Sequence, residues 1–179
     1  TLKAKLQDSR SEVQSAAALG LGILLKRHTD KVSKAGLRAG LSPLVRVSDR
    51  ARRYAAVYAL SWLKDPAAIV DLVVALADSD PEIRALAASG CGRLGSRPGV
   101  LDVVTTDADW RGRVAAIQAR GRLGADEERA AAAATRLSVM ADRAWGRLSR
   151  GGPVEAGRAM HELRAAVESL RGLGEAGTR

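Results

Sequence analysis

Few residues in this chain have types and spacings that could do chemistry. There are two histidines, His28 and His161, and one cysteine, Cys91. His161 precedes Glu162, which makes one His-Glu pair. A catalytic metal centre draws on about three protein ligands, so one pair does not complete it, and His161 reads as a solvent-facing side chain. His28 follows Lys26 and Arg27 at the end of a helical stretch, where cations suit the negative end of the helix dipole. Cys91 lies between Gly90 and Gly92 and reads as a small buried hydrophobe. A single cysteine excludes an internal disulfide framework. No G-x-S-x-G elbow, P-loop or G-x-G-x-x-G after a strand occurs. Acid pairs such as Asp107 and Asp109 fall in turns, where helix capping accounts for them better than acid–base work. No catalytic, metal or cofactor set is expected, and the chain reads as non-enzymatic.

Positive charge is more telling. The formal net charge is +9. Residues 1–64 hold 13 Lys and Arg against 4 Asp and Glu, whereas residues 65–179 hold 16 of each sign. The whole excess, and every lysine, therefore lies in the first third. Such asymmetry points to an anionic partner or to a solvated basic surface. Lys31, Lys34 and Arg38 stand three and four apart, the spacing of one helical face, with Lys26 and Arg27 before them. Arg46, Arg50, Arg52 and Arg53 gather at the next turn. Tyr54, Tyr58 and Trp62 follow at four-residue intervals, a face assigned to core packing. Trp110 occupies a turn position where the sister segment has Pro81, and is expected to be partly exposed. The candidate partner-binding set is thus Lys26, Arg27, Lys31, Lys34, Arg38, Arg46, Arg50, Arg53 and Trp110.

These residues are positioned by repeated elements. Residues 76–84 read Leu-Ala-Asp-Ser-Asp-Pro-Glu-Ile-Arg and run on to Gly95. Related lines start near Leu6 and Thr105, with a weaker copy at Leu44. Offsets of about 30 to 40 residues mark helical-hairpin repeats, each burying its apolar face against its neighbours. Asp80-Pro81-Glu82 is a helix start, with a capping carboxylate, a proline tolerated at the first position and an acid at the positive end of the dipole. Return helices are expected over about 30–41, from Asp65-Pro66 with Ile69, Val70, Leu72, Val73 and Leu76 buried, and over 99–104. Glycines such as Gly20, Gly22, Gly90 and Gly92 fall inside helices, where they permit close backbone approach between units.

After Gly124 the pattern changes. Leu137, Met140, Ala144 and Leu148 form one stripe, and Met160, Leu163, Val167 and Leu170 another beyond the break at 151–153. Residues 1–124 are read as the repeat stack and 125–179 as a helical cap of the same domain, the alternative being a partner-binding hairpin. Whether 126–150 is one helix or two is left open. Aromatics are only 3% of the chain and phenylalanine is absent, so the core must be Ala, Leu and Val. A globule of this size buries roughly 70% of its unfolded surface and needs no staple. The longest apolar run, 16–25, is too short to span a bilayer. The expectation is a cytoplasmic protein. Arginine-rich composition without asparagine fits a high-GC bacterial coding bias. The first residue is not Met, which fits a processed chain or a fragment of a longer one.

The line from Asp78 through Asp80-Pro81-Glu82-Ile83-Arg84, Ala87-Ala88 and Gly92-Arg93-Leu94-Gly95 resembles a short HEAT repeat of the phycobilisome-lyase-type HEAT-like family. The resemblance covers about residues 5–124. It implies an all-α solenoid of about four helical hairpins with a C-terminal helical cap. It also implies a ladder between units, made by an Asp and an Arg six positions apart: Asp78 with Arg84, and Asp107 with Arg113. The first unit has Asp8 but Gln14 and the second has Arg46 and Arg52, so the ladder is expected to lapse there. In such stacks the second helices line the concave side, which would turn the Lys31 stripe toward a groove. The leading functional expectation is a scaffold that binds a protein partner through its solenoid surface. The alternative is a nucleic-acid-binding domain whose residues 26–53 track phosphates.

Overall fold

The computed structural model describes residues 1–28, 32–123 and 127–176. Ten α-helices follow one another, with no strand among the described residues. They are α1 Leu2–Lys5, α2 Ser11–His28, α3 Leu37–Leu41, α4 Arg50–Trp62, α5 Ile69–Ala75, α6 Pro81–Arg93, α7 Asp102–Thr105, α8 Trp110–Leu123, α9 Glu127–Arg150 and α10 Pro153–Ala176. Short 3-10 turns at Ser42–Arg46, Pro66–Ala68 and Pro98–Leu101 adjoin α3, α5 and α7.

The helices sort into two layers. Each long helix packs on the next, α2 on α4, α4 on α6, α6 on α8 and α8 on α10. The return layer holds α1, α3, α5, α7 and α9, each beside the long helix that follows it. The segment after 124 therefore adds a fifth hairpin to the same two layers. Residues 127–150 are one helix.

Local chemistry explains the unit. In Asp78-Ser79-Asp80, the first carboxylate accepts the Asp80 amide at 2.8 Å, closing the turn. The second carboxylate accepts the Glu82 and Ile83 amides and caps α6. Asp107 and Asp109 repeat the pair before α8. Asp49 caps α4 through the Arg52 amide at 2.7 Å. Small residues set the spacing between long helices. A Cβ on Gly92 would lie 2.6 Å from the Ala119 Cβ and 2.7 Å from its Cα, and one on Gly121 would lie 2.7 Å from the Ser169 Cβ. The backbones of α6, α8 and α10 thus approach as closely as atoms permit. Alanines and leucines fill one continuous core from Leu6 to Leu173.

Three segments depart from the sequence reading. Among the described residues of the return helix expected over 30–41, helix begins only at Leu37, after Gly36, whose left-handed φ of 70° a continuous helix does not hold. Lys34 thus precedes the helix and does not share a helical face with Arg38. On α5 and the residues flanking it, Ala68, Leu72, Ala75 and Leu76 are buried while Val70 and Val73 face outward. On α10, Ala159, Glu162, Ala165 and Ala166 are buried, and Met160 and Val167 lie exposed. On α10 the small alanines let the neighbour come close, so the thin face packs and Met160 and Val167 are left outside, whereas at α5 the larger Leu72 and Leu76 take the packed face and the valines the outer one.

Candidate interaction surfaces

Arginines on the long helices bind the units together. Arg84 donates to both oxygens of Asp107, at 2.6 and 2.7 Å, and to the carbonyls of Asp78 and Ser79 in its own turn. Arg53 does the same one unit earlier, with Asp78 at 2.8 and 3.2 Å and the carbonyls of Val47 and Ser48. The register of the second unit is therefore Val47 and Arg53, not Arg46 and Arg52, and the rung between units two and three is present. Arg113 keeps the carbonyl half of the pattern with Asp107 and Ala108. Its carboxylate partner is Glu162 of α10, only 1% exposed, at 2.8 and 3.0 Å, which also receives Arg147. The rung runs from each unit's arginine to the next unit's acid, so a motif read within one unit shows both members but not their pairing. Gln14 holds the arginine place in the first unit and accepts from Arg52 at 3.3 Å.

Electrostatics follow these contacts. Burial pushes the Asp107 carboxyl up, but hydrogen bonds from Arg84 and the Asp109 amide outweigh it and leave the pKa below its ordinary value. Asp80 behaves alike: burial raises it, and Arg50 with the Ile83 and Glu82 amides brings it down overall. Burial pushes the Cys91 thiol up to about 11.

The candidate partner-binding cations separate into groups. Lys31 lies outside the described residues. Arg38 donates to Asp71, a carboxylate 2% exposed that also accepts the Ser42 hydroxyl. Arg50 pairs with Asp80 and Glu82, and Arg53 with Asp78. Lys26 lies over the Trp62 ring at 5.4 Å, and Arg93 over the same ring at 4.2 Å. Burial, then the neighbouring Arg122, lowers the Arg93 pKa to about 10. Arg27 and Arg46 are exposed and Lys34 is half-buried. Lys26 and Arg27 sit at the end of α2, while Arg46 lies before α4 begins. The 13 residues of α4 put these two edges of the stack roughly 20 Å apart. The basic stretch is thus divided between two edges rather than gathered on one face.

Aromatic residues form part of the long-helix face. Tyr54, Tyr58 and Trp62 are half-buried. Trp110, also half-buried, stacks on His161 at 5.1 Å between α8 and α10. His161 is therefore solvent-exposed and ring-stacked at once. Among the described residues no three His, Cys, Asp or Glu side chains converge as a metal would require. No described helix is long and apolar enough to cross a membrane.

The sequence reading missed the outer face of the return layer. Val70 is 61% exposed, with Val73 and Val74 beside it on α5. Val103 on α7, at the position equivalent to Val74 one unit on, is 59% exposed, and Val139 on α9 is exposed as well. An eight-residue run, Ile69 to Leu76, that is apolar except for Asp71 was the available signal: it exceeds what one buried stripe can use.

No curated protein matches the chain significantly in sequence. Among solved structures, one engineered protein aligns with a TM-score of 0.56 at 18% identity, over 99% of this chain and 84% of its own. A second engineered protein aligns with a TM-score of 0.57 at 19% identity, over 95% of this chain and 47% of its own. Both show likeness of fold. Residues 1–88 match the family described as HEAT repeats. Over those residues the chain belongs to the HEAT-repeat family, and the described hairpins beyond them extend the same all-α solenoid.

Proposed function

We propose that this solenoid is a non-enzymatic scaffold that binds a protein partner through the outer face of its return helices. The observation that carries the reading is the exposed aliphatic row Val70, Val73, Val74, Val103 and Val139. Scattered surface hydrophobes need no explanation, but exposed aliphatics recurring on successive return helices do, and repeat stacks present extended surfaces. Lys26, Arg27, Lys34, Arg46 and Trp110 are the remaining candidates for polar contact around such a partner. Arg38, Arg50 and Arg53 are assigned to holding units together. The rungs made by Arg53 and Arg84 also support the short, phycobilisome-lyase-type HEAT-like assignment.

The test compares affinity capture by the parent chain with capture by a Val70→Asp/Val74→Asp/Val103→Asp variant. These positions are exposed, so circular dichroism should stay unchanged while specific preys are lost. Equal capture by both chains refutes the valine face. Nucleic acid is the second reading, and the cationic edge formed by Lys26, Arg27, Lys64, Arg93 and Arg122 at the ends of the long helices favours it. Fluorescence anisotropy with labelled DNA across a salt series decides: phosphate tracking gives affinity that falls steeply with salt, and no binding at low salt refutes it.

A further inference from the structure

Where α9 lies against α7 and α8, the surface opens into a cleft of about 270 Å³ lined by Asp102, Thr105, Arg120, Arg136, Val139 and Arg143. Arg120 and Arg136 face the Asp102 carboxylate there, and Arg143 lines the same cleft. Arg120 is the deepest, 3% exposed, and its Nη2 reaches the Asp102 carboxylate. Its Nε is buried and has no hydrogen-bond partner among the described residues. The Arg136 Nη1 lies 3.7 Å from the same Asp102 oxygen. Burial, together with the charge of Arg136, lowers the Arg120 pKa.

A buried guanidinium is costly unless its donors are used, and an orphaned N–H is costlier than a satisfied one. Asp102 is a weak solution to that problem. It is a single negative charge among three positive ones, and its side chain is 60% exposed. Arginine forks match the oxygens of a phosphate group, which can take several such donors at once. Beside the charges, Val139 and Met140 supply an apolar wall, and Thr105 and Thr135 place hydroxyls at the rim. Charge and wall together suit an anion with a carbon substituent. The volume is that of a small ligand group rather than a large cofactor.

We propose that this cleft binds a phosphate monoester through Arg120, Arg136 and Arg143, with Asp102 as an internal competitor for the same guanidiniums. The dianion offsets the net positive charge of the cluster, and its oxygens satisfy the free Arg120 Nε–H. The cleft shares Val139 with the valine face, but its arginines lie outside that face and stand whether or not it binds a protein.

The test is titration calorimetry of the full chain, with glycerol 3-phosphate in one arm and a capped phosphoserine tripeptide in the other, at constant ionic strength. The expected result is saturable one-site binding of at least one probe, and the tighter arm identifies a metabolite or a modified side chain as the source. The Arg120 Nε–H signal in nitrogen-15 NMR should shift on binding. Arg120 substitutions endanger the fold, so the partly exposed Arg136 and the exposed Arg143 carry the weight. Arg136→Gln and Arg143→Gln should each weaken binding by about fivefold or more with unchanged circular dichroism, as loss of a charge-assisted contact requires. Asp102→Asn should tighten it by roughly threefold or more, because the competing charge is gone. No saturable binding of either probe by the parent or Asp102→Asn chain up to about 20 mM, a range that includes weak millimolar sites, overturns the proposal. So does binding that is indifferent to both arginine variants, or an Asp102→Asn variant that binds no tighter. An equal response to sulfate that survives the arginine variants is a generic salt effect and overturns it as well.

Discussion

Removing Arg84 should loosen the joint between the third and fourth units more than any exposed substitution. Its side chain makes hydrogen bonds to both Asp107 oxygens and to two carbonyls of its own turn. Arg84→Ala leaves the Asp107 carboxylate, 4% exposed, with the Asp109 amide as its remaining hydrogen-bond donor. Stripping one partner from a buried pair costs about 3–5 kcal/mol. The Arg84 side chain is 18% exposed, so water recovers part of this, and about 2–3 kcal/mol is expected. Arg84→Lys keeps the charge but loses the fork, and should fall between. Urea unfolding followed by circular dichroism reads the loss as a lower midpoint at similar slope. A cycle with Asp107→Asn should return a coupling of about 1.5–2 kcal/mol. The pH dependence has a defined sign. The Asp107 pKa is lowered in the folded state, so its contribution is complete above the unfolded carboxylate value near 4 and is lost as pH falls through the depressed value. Arg84→Ala should flatten that acid limb. A variant within about 0.5 kcal/mol of the parent, or a cycle with no coupling, would refute the reading of the rung as a joint.

Other outcomes follow from packing and burial. Gly92→Val should destabilise by about 1–3 kcal/mol, because its Cβ would meet the Ala119 backbone, whereas Gly157→Ala, with open space around it on α10, should stabilise by about 0.5–1 kcal/mol, both read by the same urea unfolding. Cys91, buried with its pKa raised to about 11, should resist a thiol reagent at pH 8 until urea unfolds the chain; fast native labelling would contradict its burial. Asp71→Ala should cost about 1–3 kcal/mol by chemical denaturation, since it strands the Arg38 guanidinium and the Ser42 hydroxyl.

Much of the fold was legible because its signals are local. Asp-x-Asp turns, prolines at helix starts and glycines inside helices each act through neighbouring atoms, and each carries its reason in its residue type. The register of the second unit was not, because Val47 replaces the first aspartate and the copy was aligned on Leu44. Asp49, which caps α4 as Asp80 caps α6, places Arg53 opposite Arg84, and that cap was the usable anchor. The exposed faces of α5 and α10 were hidden for another reason. Periodicity finds an apolar stripe but does not say which stripe packs when a helix offers two, leucines against valines at α5 and a thin alanine face against a bulky one on α10. The arginine cleft draws on α7, α8 and α9, and no local spacing joins Arg120 to Asp102.

The lopsided charge, read as a binding face, also has a structural reading. Arg38 meets Asp71, Arg50 meets Asp80 and Glu82, and Arg53 meets Asp78, so the surplus of the first 64 residues is in part neutralised by acids of the third unit. These pairs cross the joint between units two and three. At the joint between units one and two, no guanidinium–carboxylate pair crosses among the described residues, and Arg52 reaches across it to Gln14, a neutral amide. Stability in such stacks is close to a sum of unit and joint terms, so the weaker joint should open first. Native-state hydrogen exchange measures this directly: amides of α2 should exchange through a partial opening of lower free energy than those of α4 and α6. Gln14→Arg together with Val47→Asp, which writes the missing rung into the register defined by Arg53 and Asp78, should bring the two closer. Equal opening free energies in the parent chain would show that close packing of α2 on α4 alone holds the first unit, and that the rungs are not what grades the stack.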